Sequence, residues 1–301
     1  MTNLKKPGYV PQVRLITFGG GTNDYRQAAE RIVNQAKAFP EINDAISYTE
    51  SDLDAGFYDL FWDIDHQKTR GFGFWSWKPF LIKRALESLN NGDILIYVDA
   101  GAELNSRGHA RFVEYLDYTA REDFLCFAMP LQHRDWCKQA PELSLGPEFY
   151  FRNQLSAAFL MMRKSSKTIQ LVDHWLMLSS LDGGKLLKDP TGLEIQENLK
   201  LKDHRHDQAL LTVSVFRLGM PVKAPDETYF NNWSLGSDYP VLLLRNRQGE
   251  SILEYRISKG VRRFLFNLFM PWLASPIFKY HVRNVKKRLL GSISGDTNGA
   301  R

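Results

Sequence analysis

The chain reads as an α/β domain built on a largely parallel central sheet. Short apolar runs alternate with helical patterns through most of the sequence, the order that βα units produce. A run of β-formers, Ile94-Leu95-Ile96-Tyr97-Val98, ends on Asp99, followed at once by Ala100 and Gly101. In a parallel sheet the carboxyl end of a strand is where ligands sit.

The elements follow in order. Val13 to Phe18 is a short apolar strand that ends in Gly19-Gly20-Gly21. Tyr25 to Phe39 has helical spacing, with Ala28, Ala29, Ile32, Val33 and Ala36 on or near one face. Ala45 to Tyr48 reads as a strand. Lys78 to Leu89 reads as a helix, with Pro79 in its first turn and Gly92 beyond its end. Ile94 to Val98, Phe124 to Met129 and Ala157 to Met162 are the next strands. Ile169 to Leu178 and Asp207 to Leu218 are helical, the latter stopped by Gly219. Residues 1–240 form the main domain, and 241–301 a basic, apolar, helical C-terminal appendix.

Composition fits a globular enzyme, with 301 residues, 44% hydrophobic and 24% charged. Cys126 and Cys137 make neither a disulfide framework nor a zinc pattern, and packing as reduced thiols is their expected role. The first ten residues have two lysines and no apolar core, so a secretory signal is not expected. The net charge of +5 is unevenly placed. Nine basic residues and no acid lie between Arg256 and Leu290, and taking those nine away leaves −4 on the rest. A nucleic-acid binder spreads its basic patch over the fold, so nucleic acid is not an expected partner. The same segment carries an uncharged stretch, Phe264 to Phe278, interrupted by Pro271 and Pro276. It is too short to span a bilayer, which takes about 20 residues. Apolar and aromatic residues between cationic flanks suit a segment lying on an anionic membrane. A pair of helices packed on the main domain is the other reading.

Four stretches carry candidate chemistry. At Asp99-Ala100-Gly101 an acid faces the crevice, with small neighbours that let a ligand approach the backbone; an ordinary strand-to-loop turn has the same composition. Gly19-Gly20-Gly21 precedes a helix, where exposed amides hold phosphate, but matches neither a dinucleotide fingerprint nor a P-loop. In Arg70-Gly71-Phe72-Gly73-Phe74-Trp75-Ser76-Trp77-Lys78-Pro79, Lys78 stands at a helix start, where the dipole opposes a cation. A bound anion shared with the helix amides would resolve that conflict. His204-Arg205-His206-Asp207-Gln208 opens an apolar helix with a metal ligand, a base and a phosphate contact within one turn, although Asp207 also qualifies as a simple cap.

In order, these parts resemble bacterial sugar-nucleotide-dependent glycosyltransferases with the GT-A fold, of the capsule- and lipopolysaccharide-associated kind, over residues 13 to 235. The resemblance implies a single Rossmann-like GT-A domain. It implies transfer of a sugar from a nucleoside-diphosphate-sugar donor to a glycan or lipid-linked glycan acceptor, in cell-surface polysaccharide synthesis. Phe18, Gly19, Gly20, Tyr25, Trp77, Lys78 and Asp99 become donor-binding candidates. His133, Arg134, Asp135 and Trp136 become acceptor-binding candidates, Trp136 by stacking on a sugar ring. Asp99 takes the place of the first acid of the metal-binding Asp-x-Asp motif, and Gly101 replaces the second. A divalent Mn²⁺ or Mg²⁺ would then need help from Glu103, His204, His206 or Asp207, with Asp99 and His206 as the metal candidates. Asp207 and Asp99 are the catalytic candidates, with Asp207 as base if configuration inverts. With no secretory signal and reduced cysteines the protein is expected in the cytoplasm, and its C-terminal segment suits a peripheral place on the inner face of the membrane. A non-catalytic nucleotide-sugar or carbohydrate-binding scaffold is the alternative that the Gly101 departure leaves open.

Overall fold

A computed structural model describes residues 10–229 and 238–246. In chain order its elements are β1 (Val13–Phe18), α1 (Asn23–Ala36), β2 (Asp44–Tyr48), α2 (Ala55–Leu60), α3 (Arg70–Phe74), α4 (Trp77–Glu87), β3 (Ile94–Val98), β4 (Glu103–Leu104) and α5 (His109–Glu122). There follow β5 (Phe124–Leu125), β6 (Ala128–Gln132), α6 (His133–Trp136), β7 (Asn153–Leu155), β8 (Phe159–Arg163), α7 (Ser166–Ser180), α8 (Gly192–Glu197), α9 (His206–Arg217) and β9 (Val241–Leu242).

The central sheet has the order β2-β1-β3-β8-β5. β2, β1 and β3 run parallel, β8 runs against β3, and β5 runs against β8. Four of the five strands therefore point the same way, and the expected mostly parallel α/β architecture is what the chain adopts. The carboxyl ends of β1 and β3 lie side by side, as the pairing of Ile16 with Tyr97 requires.

Strand β3 is buried along its whole length because helices cover both faces. Ile94, Ile96 and Val98 pack with Ile32, Ala36, Phe112 and Tyr115 of α1 and α5. Leu95 and Tyr97 point the other way, into the cluster that holds Leu81 and Ile82 of α4, Trp175 of α7 and Leu210 of α9. Side chains alternate along a strand, so Asp99 follows Tyr97 onto the α4 and α9 side.

Some expected elements differ. The expected strand Phe124 to Met129 is divided: β5 belongs to the central sheet, while β6 pairs with β7 in a separate ribbon. The division falls at the buried Cys126 and Phe127, where Lys223 bonds to both sides, its N–H to the Cys126 carbonyl and its carbonyl to the Ala128 N–H. Strand β9 pairs with β4, so the main domain takes in residues beyond 240. The rest of the expected appendix lies outside the described residues. Among these, no helix is long and apolar enough to cross a membrane.

Candidate active site

The site grows from one buried cation. Lys78, in the first turn of α4, is 3% exposed. Its Nζ lies 3.1 Å from Asp99 Oδ1 and 2.9 Å from Asp207 Oδ2, and donates to the Ala157 carbonyl at 3.1 Å. It also lies 5.1 Å from the ring centre of Tyr97 and 5.7 Å from that of Trp77. An ammonium in such a place is tolerated only when it is fully paired. Burial opposes its charge, but the two carboxylates outweigh it and hold the Lys78 pKa above its ordinary value. The conflict between Lys78 and the helix dipole is thus met by two acids of the chain itself. Lys78 is thus paired within the protein, by one hydrogen bond to the Ala157 carbonyl and by charge contacts with the two carboxylates.

The two carboxylates are not equivalent. Asp207 is buried in the first turn of α9, and burial pushes its pKa up to about 6 against the pull of Lys78. The Asp99 side chain keeps 34% of its surface exposed. Tyr97 donates its hydroxyl to Asp99 Oδ1 at 2.5 Å, the oxygen that also faces Lys78. Among the described residues Oδ2 has no hydrogen-bond partner. The result is a carboxylate oriented from behind, with one acceptor oxygen free on its exposed side. Sequence reading passed over Tyr97. The signal was its place two residues before Asp99, on the same face of β3.

The HRHDQ residues separate by orientation. Asp207 faces Lys78, but the two imidazoles turn to backbone elsewhere. His204 accepts from the Lys138 N–H at 3.2 Å, and its other nitrogen bonds to the Leu186 carbonyl at 2.9 Å. His206 bonds through Nδ1 to the Leu187 carbonyl at 2.6 Å and stacks on Phe74 at 4.8 Å. Burial pushes the His206 pKa down to about 4, so the ring is neutral near pH 7. His206 Nε2 lies 3.6 Å from Asp189 Oδ1, and among the described residues no contact joins His206 to Asp99. Among the described residues, no group of three or more His, Cys, Asp or Glu is arranged to hold a metal ion. The donor set does not fit Mn²⁺ or Mg²⁺, since Asp99 already shares one oxygen with an ammonium and Gly101 adds no side chain.

Gly19 and Gly20 serve packing. A Cβ on Gly19 would lie 2.6 Å from the Tyr25 carbonyl oxygen and 2.7 Å from Ala29 Cβ, so this glycine lets α1 seat against β1. A Cβ on Gly20 would lie 2.3 Å from the Phe18 ring. Phe18 is buried and stacks on Trp77 at 4.0 Å, forming the wall beside Lys78. Tyr25 is half-buried on α1.

The aromatic stretch before α4 adopts a rare backbone. Gly71, Phe72, Gly73, Phe74 and Trp75 all have positive φ, from 50° to 83°. Left-handed conformation costs a non-glycine residue about 1–2 kcal/mol, so neighbours must enforce it. Trp77 Nε1 donates to the Gly71 carbonyl at 2.9 Å, and the Gly73 N–H donates to Thr69 Oγ1 at 3.1 Å. Phe72 packs toward Phe18, and Phe74 covers His206. This turn joins the end of β1 to the start of α9, on either side of Lys78.

The acceptor candidates lie on α6, beside the approach to α9. His133 is 1% exposed, bonds to Gln154 and packs on Phe149, which removes it from any contact with ligand. Burial pushes its pKa down to about 4. Asp135 pairs with Lys202 at 2.9 Å and with Arg134 at 3.3 Å. Trp136 is half-buried, with the Arg205 guanidinium 4.5 Å over its ring and the Arg205 N–H bonded to its carbonyl.

No family model matches the chain, and no curated protein matches it. Among solved structures, the chain is similar to a glycosyltransferase involved in glycosylation of the major capsid of PBCV-1. That match has 9% identity and a TM-score of 0.41, and covers 77% of this chain and 92% of the other. It is similar to mouse xyloside xylosyltransferase 1, with 9% identity and a TM-score of 0.42, over 77% of this chain and 97% of the other. It is also similar to a galactosyltransferase solved with donor and acceptor sugar analogs, with 12% identity and a TM-score of 0.34, over 72% of this chain and 75% of the other.

Proposed function

We propose that the chain is a glycosyltransferase that moves a sugar from a nucleoside-diphosphate-sugar donor to a glycan or lipid-linked glycan hydroxyl, in cell-surface polysaccharide synthesis. The observation that carries this reading is the Asp99–Lys78–Asp207 cluster at the carboxyl end of β3. It presents one oriented carboxylate oxygen to the crevice, with a fixed positive charge behind it. In the transfer the acceptor oxygen attacks the anomeric carbon, the bond to the phosphate oxygen breaks, and the electron pair leaves on the diphosphate. If configuration inverts, the hydroxyl proton goes to Asp99 Oδ2, the exposed acceptor atom. Asp207 is then a positioning residue, because its burial and its pairing with Lys78 keep it from the acceptor. The sequence resemblance over residues 13 to 235 supports the same assignment.

The test is a donor screen: full-length protein with a panel of nucleotide sugars, with and without Mn²⁺, read by nucleoside diphosphate release. One donor is expected to be consumed, and Asp99→Asn to lower turnover at least about 100-fold, the scale of a lost acid–base group. Asp207→Asn should lower it about tenfold. Full turnover by Asp99→Asn would remove that residue from the mechanism. Donor binding without turnover under any condition would favour the scaffold.

A further inference from the structure

Lys78 Nζ sits inside an oxygen cage. Three parts of the fold supply it: Asp99 Oδ1 after β3 at 3.1 Å, Asp207 Oδ2 in α9 at 2.9 Å, and the Ala157 carbonyl before β8 at 3.1 Å. The Ala157 contact is a hydrogen bond. Asp207 Oδ2 is buried and receives no hydrogen bond, so charge alone holds it to Nζ. Hard oxygens that gather round one point without directed hydrogen bonds, two of them on carboxylates, are what a protein offers a metal ion. Here a side chain of the same protein brings the cation.

The other walls select which cation fits. The Tyr97 and Trp77 ring centres lie 5.1 Å and 5.7 Å from Nζ, and Phe18 stacks on Trp77 at 4.0 Å. Aromatic faces attract an ammonium. They offer nothing to the waters that Mg²⁺ keeps around itself. The oxygen distances of 2.9–3.1 Å agree with an N–H donor. Mg²⁺ demands about 2.0–2.1 Å and Ca²⁺ about 2.3–2.6 Å. A metal would also compete for Asp99 Oδ1 with both Nζ and the Tyr97 hydroxyl. We infer that Lys78 is a tethered cation: while Nζ is present the carboxylates of Asp99 and Asp207 bind no divalent metal, and once it is removed they become a divalent-cation site. The cage rests on geometry. Only its consequence for turnover, transfer without added metal, rests on the transferase reading.

The experiment follows thermal melting of the full-length protein in EDTA, in CaCl₂ and in MgCl₂, beside Lys78→Ala. Wild type is expected to melt at one temperature in all three. Lys78→Ala is expected to melt lower in EDTA. It should rise by roughly 5 °C or more once Ca²⁺ reaches about a hundredfold excess over its dissociation constant. Mg²⁺ should do less, because its short, strictly octahedral shell asks the oxygens to move further. Adding Asp99→Asn to Lys78→Ala should abolish the rise. A folded Lys78→Ala that ignores both ions overturns the inference. So does a Ca²⁺ or Mg²⁺ rise in wild type that Asp99→Asn removes, an arm that holds even where Lys78→Ala fails to fold. With a donor in hand, replacing Mn²⁺ by EDTA should leave wild-type turnover unchanged, and a strict need for Mn²⁺ overturns the metal-free transfer. A Ca²⁺-dependent rise in Lys78→Ala without turnover on any donor upholds the cage and counts against the transferase. Turnover in EDTA with a Lys78→Ala indifferent to metal does the reverse.

Discussion

Lys78 and Asp99 meet 3.1 Å apart at the carboxyl end of β3, the first buried and the second one-third exposed. The pair turns a strand terminus into a polarised group: the ammonium and the Tyr97 hydroxyl address the same carboxylate oxygen, and the other oxygen is left free. Asp207 completes the set from α9. The three charges come from three elements, so the cluster ties α4 and α9 to the sheet as well as preparing a site.

The pairing makes Lys78 a structural group. Lys78→Met would leave Asp207 buried without its partner, and breaking a buried pair costs about 3–5 kcal/mol. A loss of unfolding free energy of that order is expected from urea titration. Adding Asp207→Asn removes the orphaned charge and should recover part of the loss. Wild-type stability in Lys78→Met would show that the ammonium is not held by the acids.

Much of the frame was legible because β3 and its neighbours obey strong local rules. Ile94–Val98 has the limits read from sequence, and the alternation from Leu95 through Tyr97 carries Asp99 onto the inner side of the crevice. Lys78 stood out because a cation opposes a helix dipole. What resolves it, Asp207, lies 129 positions along the chain, and no local pattern carries that contact. The two imidazoles of HRHDQ were read as ligands because composition does not show direction. They bond to the carbonyls of Leu186 and Leu187, a turn that has no periodic signature of its own. Strand direction was equally hidden: β8 reads like its neighbours and runs opposite. Asn246 lies beyond residue 240, and its N–H bond to the Gly101 carbonyl is visible only in the fold.

Stability should fall on mild acidification. His133 and His206 are held at about 4, below the unfolded value near 6.5, so both are neutral in the fold at pH 7. Between those limits the unfolded chain binds more protons, and stability drops as pH falls. Asp207 acts oppositely: raised to about 6, it favours the fold at low pH and loses that contribution as pH rises through 6. The two histidines outweigh one acid. The melting temperature is expected to drop by roughly 4 °C or more from pH 7 to pH 5. His133→Asn should flatten that slope, and an unchanged slope would reject the assignment.

The left-handed turn offers a test of what shapes the site. At Gly73 the φ is +83° and an added Cβ would lie 2.3 Å from the His66 ring. Gly146 has a similar φ of +97° but nothing within 4 Å of the same position. Gly146→Ala should therefore cost only backbone strain, about 1 kcal/mol. Gly73→Ala should cost clearly more and also lower turnover, because the turn supports Trp77 through the Gly71 carbonyl. Equal denaturation midpoints for the two variants would show that the clash at His66 relaxes freely.

The last prediction concerns residues 256–290, outside the described residues. We propose that they hold the enzyme on the cytoplasmic face of an anionic membrane, where a lipid-linked acceptor would be presented. The argument is electrostatic first: nine cations without a local acid, each contributing up to about 1 kcal/mol near an anionic surface. Phe264, Phe266, Phe269, Met270 and Trp272 then supply apolar area to insert between headgroups. Full-length protein should co-sediment with liposomes rich in anionic lipid and be released as salt rises. A chain ending before Arg256 should remain in the supernatant. Neutral liposomes should retain little of either. Equal partitioning of the two chains would reject membrane docking, and would turn attention to packing of the same aromatics within the protein.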